Sequence, residues 1–163
     1  VRSRYLDVWQ AAREGGLDHW VDGVAGTLAF LVVTDQFPRN IFRGSPDAFA
    51  THALALAAAR RALAAGWDMD APPPERNFFY LPFEHSEAPE DQDLSVSLVS
   101  ERLRDHPDYV FHARVHHEVI RRFGRFPFRN AALGRTSTAE EIAFLAEGAY
   151  PGLVRRMQEA EKA

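Results

Sequence analysis

Histidines, carboxylates and arginines gather in four short stretches of this chain. The first holds Asp35, Gln36, Arg39, Asn40 and Arg43. If a helical turn continues through it, Asp35, Arg39 and Arg43 share one face. Two guanidiniums beside an acid can hold a carboxylate or phosphate through paired N–H donors. The same side chains can equally satisfy the open carbonyls at a helix C-terminus, with Asp35 holding one arginine. The second stretch is His85-Ser86-Glu87 with Asp91 and Gln92, at a turn between two predicted helices. His85 and Glu87 are candidates for an acid/base pair. Glu87 and Asp91 can instead cap the helix that follows.

His112, His116, His117 and Glu118 form the third stretch. His112 and His116 are four apart, a spacing that can hold a metal. After His117-Glu118, however, no second histidine follows four positions on, so the zinc-protease pattern is not met and no metal is expected. The fourth stretch places Arg121, Arg122, Arg125, Arg129 and Arg135 among Phe123, Phe126 and Phe128. Arginines interleaved with aromatics can bind single-stranded nucleic acid. They can also form a local anion site, or pair with acids such as Asp35, Glu87 and Asp91 in a structural network. The chain's net charge of −4 and the lack of a nucleic-acid motif argue against the first of these. No nucleophile elbow and no glycine-rich phosphate loop is present, and no cofactor is expected.

The elements that must carry these residues read as helices. The 163 residues suit one domain, which at this size buries roughly 70% of its unfolded surface. Hydrophobic residues make up 46%, which excludes disorder along most of the chain. There is no cysteine, so disulfides, thiolate metal sites and cysteine nucleophiles are excluded. No apolar run reaches the roughly 18 residues that span a bilayer, and no signal peptide is visible near Arg2 and Arg4. A cytoplasmic protein without membrane contact is expected.

The spacing of Tyr5, Val8, Trp9 and Ala12 predicts an amphipathic helix over 4–14, capped by Ser3 and stopped by Gly15-Gly16. A second helix is predicted from Asp18 to about Gln36, ended by Pro38. Ser45-Pro46-Asp47 predicts the start of a helix that runs to Ala65, with Gly66 closing it. A loop over 67–74 and a short helix over 76–83 follow, then helices near 90–104 and 108–123. Ser137 to Glu141 reads as a capping box for a helix ending at Gly148. Residues 1–148 thus form one helical domain, and 149–163 a tail that can dock as a helix. Nothing reads as a strand pair. The fold expected is all-α, an antiparallel helix-pair array of about seven helices. Phe37-Pro38 and Phe126-Pro127, each near an Arg-Asn pair, use the same helix-stop chemistry twice or mark two related helix pairs.

Asp35 to Gly44, Tyr80 to Glu87 and Arg122 to Pro127 resemble the signature segments of the bacterial family called domain of unknown function 924. Asn130, Leu133 to Arg135, Ser137-Thr138 and Glu140-Glu141 extend the resemblance, which covers about residues 5–147. It implies a helical fold similar to tetratricopeptide pairs and transfers no established activity. The chain starts roughly 30 residues later than typical members by this resemblance, without their first helix. Phe128 stands where members usually carry His, and His52 where they usually carry Asp.

The function expected first is a binding domain for a small anionic ligand or a protein segment. Its groove would use Asp35, Gln36, Arg39, Asn40, Arg43, His85, Gln92, Arg125, Arg129 and Asn130. An enzyme acting on a small anionic metabolite, with His85, His116 or Glu87 as catalytic groups, is the alternative. A structural polar network without ligand is the third reading.

Overall fold

The computed structural model describes residues 2–162, with side chains from Tyr5 onward. The expected cap, the Ser3 side chain, lies outside the described residues. Among those described, every regular element is a helix. The chain forms two compact units, Val1–Phe83 and Glu84–Ala163.

In the first unit, α1 (Arg2–Arg13) buries Trp9 and Ala12. Gly15, at φ +83°, ends it in the left-handed conformation. The Gly16 N–H then reaches the Ala11 carbonyl at 2.8 Å and the Gly15 N–H the Ala12 carbonyl at 3.2 Å, which closes the open helix end. The single helix predicted from Asp18 is divided. A 3₁₀ turn over Asp18–Asp22 comes first, and α2 (Val24–Leu31) starts after an extended Gly23. Nor does Pro38 stop the chain's helical course. A π turn over Val32–Gln36 leads directly into α3 (Phe37–Ile41).

The physical reason is visible in the carbonyls. Proline has no N–H for the Thr34 carbonyl four residues back. The Phe37 N–H reaches instead to Val32, five residues back. The Thr34 carbonyl accepts the Thr51 hydroxyl at 2.6 Å, and Thr51 Oγ1 in turn accepts the Trp9 indole N–H at 3.1 Å. With its orphan carbonyl satisfied, the helix tolerates Pro38.

The helix predicted from Ser45 is divided too. Ser45 caps a 3₁₀ turn over Pro46–Phe49, and α4 (His52–Ala65) follows. Its buried Ala55, Ala58, Ala59 and Ala62 let α4 pack closely on α2. The predicted loop over 67–74 contains one helical turn, α5 (Trp67–Asp70), before α6 (Pro73–Glu84).

The second unit holds α7 (Pro89–Arg102) and α8 (Pro107–Phe123), which form its main helix pair. Each opens on a proline, whose fixed φ and missing N–H suit a first helical position. A 3₁₀ turn over Pro127–Arg129, α9 (Ala139–Ala146) and α10 (Ala149–Ala160) complete it. Val115, Val119 and Ile120 of α8 meet Phe126, Phe144 and Leu153 in one apolar cluster, so the tail helix α10 contributes to the core. Among the described residues no helix is long and apolar enough to cross a membrane.

Gly26 marks the tightest approach in the first unit: a Cβ there would lie 2.2 Å from the Trp20 carbonyl oxygen. Inside a helix, Gly→Ala ordinarily stabilises by about 1 kcal/mol. Gly26→Ala is expected to do the opposite, costing about 1–3 kcal/mol through the forced backbone shift. The shift of the urea midpoint measures it, and a midpoint at or above wild type would refute the close contact.

Candidate functional site

The π turn and α3 place the first polar group of the sequence in the first unit. Asp35 is 2% exposed. Its Oδ1 accepts Arg39 Nε at 3.3 Å and Nη2 at 3.1 Å, and its Oδ2 accepts Gln36 Nε2 at 2.7 Å. His52, from the first turn of α4, brings Nδ1 within 3.5 Å of the same carboxylate and 3.4 Å of Arg39 Nη2. Its Nε2 is buried without a hydrogen bond. Asn40 is exposed and bonds the Gln36 carbonyl, and Arg43 is exposed beyond the end of α3. Sequence reasoning named Asp35, Gln36 and Arg39 but met His52 only as a departure from the family pattern.

The second unit gathers the other three stretches at the ends of α6, α7 and α8. Buried Gln92 donates to the Glu84 and Ser86 carbonyls, both at 2.7 Å, and so ties the start of α7 to the preceding turn. Ser86 also donates to Asp91 Oδ2 at 2.7 Å. Glu87 accepts the Phe126 N–H at 2.8 Å and both Arg135 Nη groups at 2.7 and 3.0 Å. Burial pushes its carboxyl up, but these bonds and the nearby Arg129 charge outweigh that and hold it below the usual range. Arg129 is 7% exposed; it donates to the His85 carbonyl at 3.0 Å and stacks 4.1 Å from the Phe126 ring centroid.

Glu141 was legible only as a member of the capping box, which forms with Thr138. It does more than cap. Arg125 donates to it twice, at 2.6 and 2.8 Å, Asn130 Nδ2 at 3.2 Å, and the Thr138 N–H at 2.7 Å. The Arg125 hydrogen bonds, aided by the Thr138 N–H, lower its carboxyl to about 2 against the opposing pull of burial. Asn130, 1% exposed, links it to Ser137. Arg125 and Asn130 are thus brought together with Glu141, while His85 and Glu87 make separate contacts.

His116 sits apart from these ion pairs in an aromatic surround. Its ring lies 4.7 Å from Tyr150, 5.7 Å from His85 and 5.8 Å from Phe126. The side chain is 16% exposed, and Glu84 Oε2 is 3.4 Å from Nδ1. Nδ1 also lies 2.9 Å from the His112 carbonyl, which can only accept, so Nδ1 carries the proton. The Glu84 carboxylate alone would favour imidazolium. Burial, followed by the charges of His85, Arg129 and His112, wins and depresses the ring to about 3. His116 is therefore neutral, and its Nε2, a lone-pair acceptor, makes no hydrogen bond within this unit. Tyr150 reaches in from α10 with its hydroxyl 2.8 Å from His112 Nδ1. Burial and the Glu84 charge raise its pKa, so it stays protonated. Glu84 entered the sequence analysis only inside the Tyr80–Glu87 segment, and Tyr150's only signal is its place two residues after Gly148, at the start of the tail. His117 instead faces Asp93 of α7 at 2.9 Å. Among the described residues no three His, Asp or Glu side chains group as a metal site.

The family described as bacterial protein of unknown function (DUF924) matches residues 1–149. A solved structure of ATU0120, a protein of unknown function from Agrobacterium tumefaciens, is 40% identical with a TM-score of 0.83. The match covers 89% of this chain and 81% of that one. No curated protein matches the chain.

His116 and Glu141, the most strongly lowered groups, dominate the acid response. His116 binds its proton at about 3 folded against 6.5 unfolded, so stability is present above pH 6.5 and falls as pH drops toward 3. Glu141, at about 2 against 4.5, adds a further loss below pH 4.5. Between pH 6.5 and 5 the fold is expected to lose about 1–2 kcal/mol from His116 alone. Melting curves of His116→Gln should show a shallower slope there, and equal slopes would contradict the buried neutral ring.

Proposed function

We propose, for a chain that belongs to the bacterial DUF924 family of unknown function, that the second unit binds a small anion bearing a hydroxyl or N–H donor. The observation that carries this reading is the oriented, neutral imidazole of His116. Its Nδ1–H is committed to the His112 carbonyl, so Nε2 is left to accept from a ligand. Of the groups that oppose a proton on His116, Arg129 carries a permanent positive charge that favours an anion nearby, on the side away from Glu84. Phe128, 40% exposed, and Tyr150 supply apolar surface beside the ring, backed by the fully buried Phe126. An acid/base role for His116 gains less support, because a base efficient near neutrality needs a pKa near 7.

A melting-shift panel of glycolate, glycerate and glycerol phosphate tests the reading. A ligand at 100 times its dissociation constant adds about 2.7 kcal/mol, or several degrees for a chain of this size. The shift should vanish in His116→Ala and survive in Arg121→Ala, which alters an exposed ion pair with Glu118. Shifts that persist in His116→Ala would remove the site.

A structural role for the arginine network is the second reading, favoured by the pairing of Arg39, Arg125 and Arg135 with carboxylates. On it, Asn130→Ala strands part of the Glu141 carboxylate and costs about 1–3 kcal/mol. An unchanged melting temperature in that variant would count against it.

A further inference from the structure

We propose that the first unit carries a separate site for a small amphipathic amine, in the cavity between the Asp18–Asp22 turn, α2 and α4. The cavity holds about 250 Å³. Phe30, 3% exposed, forms its apolar floor, and Val21 and Leu54 line it. On α4, Ala57 and Ala58 leave the space open where longer side chains would fill it. A dry apolar cavity of about 150 Å³ holds benzene. This one therefore takes a six-membered ring with a short arm.

Charge at the rim selects what the arm carries. Arg61, the one cation lining the cavity among the described residues, is committed to Asp22, with Nη2 2.8 Å from Oδ1, and lies 5.8 Å from the Trp67 ring centroid. Asp18 lines the same cavity, and its exposed carboxylate makes no hydrogen bond or ion pair among the described residues. One uncompensated negative charge thus faces an apolar space. Burial of the ring supplies most of the affinity. The exposed carboxylate contributes a small factor that favours a cation and disfavours an anion. The site lies on residues other than His116, so it stands or falls independently of the anion reading of the second unit.

Calorimetric titration of the full chain with phenethylamine, 2-phenylethanol and 3-phenylpropionate tests it. The amine is expected to bind about threefold more tightly than the alcohol and about tenfold more tightly than the acid. Asp18→Asn, at an exposed position, should bring amine and alcohol to about equal affinity. Ala57→Leu should weaken all three probes about tenfold by occupying the cavity, with the melting temperature showing that it folds. Acid bound as tightly as amine, an amine preference that survives Asp18→Asn, or no measurable binding of any probe would overturn the proposal. So would full amine affinity in a folded Ala57→Leu.

Discussion

A carboxylate taken out of water costs several kcal/mol unless its lone pairs are met by donors in good geometry. Glu141 is 2% exposed, and the construction of the second unit around it follows from that constraint. Arg125 approaches from the end of α8, Asn130 from the 3₁₀ turn, and the Thr138 N–H from the start of α9. None of these elements shares a continuous helix, yet each must keep its donor on one acidic group. The loop over 124–138, rich in Gly, Pro and Arg, therefore has a defined path with only the 3₁₀ turn over Pro127–Arg129 as regular structure. Asp35 imposes the same condition on the first unit, where the adjacent Gln36 and, one helical turn on, Arg39 answer it.

This constraint also sorts the arginines. Arg39, Arg125 and Arg135 each face a carboxylate at hydrogen-bond distance, and Arg129 lies against the Phe126 face with Nη1 on a backbone carbonyl. Guanidiniums held this way fix helix ends first. Of these, Arg129 adds to the burial that holds the proton off the His116 ring.

Much of the helical course was legible because it rests on local chemistry. Gly15-Gly16, Gly66 and the Thr138–Glu141 box act where their residue types say they should. The divided helices were not legible, since each division depends on a partner far away in the chain. Pro38 forbids one hydrogen bond, and local rules then predict a stop. Whether the helix ends or rearranges depends on Thr51, 17 residues beyond the Thr34 carbonyl it bonds. Asp35 and Arg39 could be paired from i, i+4 spacing alone, but Glu87 with Arg135, 48 residues apart, could not. Tyr150 is the extreme case: its neighbours His112 and His116 become visible only once α10 packs on α8.

One proline also explains how the Asp35 group is assembled. Because Pro38 cannot bond the Thr34 carbonyl, Thr51 does, and Thr51 is the residue immediately before α4. That bond brings the first residue of α4, His52, beside Asp35 and Arg39. An aspartate there would set a second carboxylate against Asp35, with Arg39 shared between them, and like charges at such range resist joint ionisation. Histidine avoids that conflict, since its Nδ1 lies within reach of both the carboxylate and the guanidinium. It does so at a cost the structure displays, the buried and unbonded Nε2 on the other side of the ring.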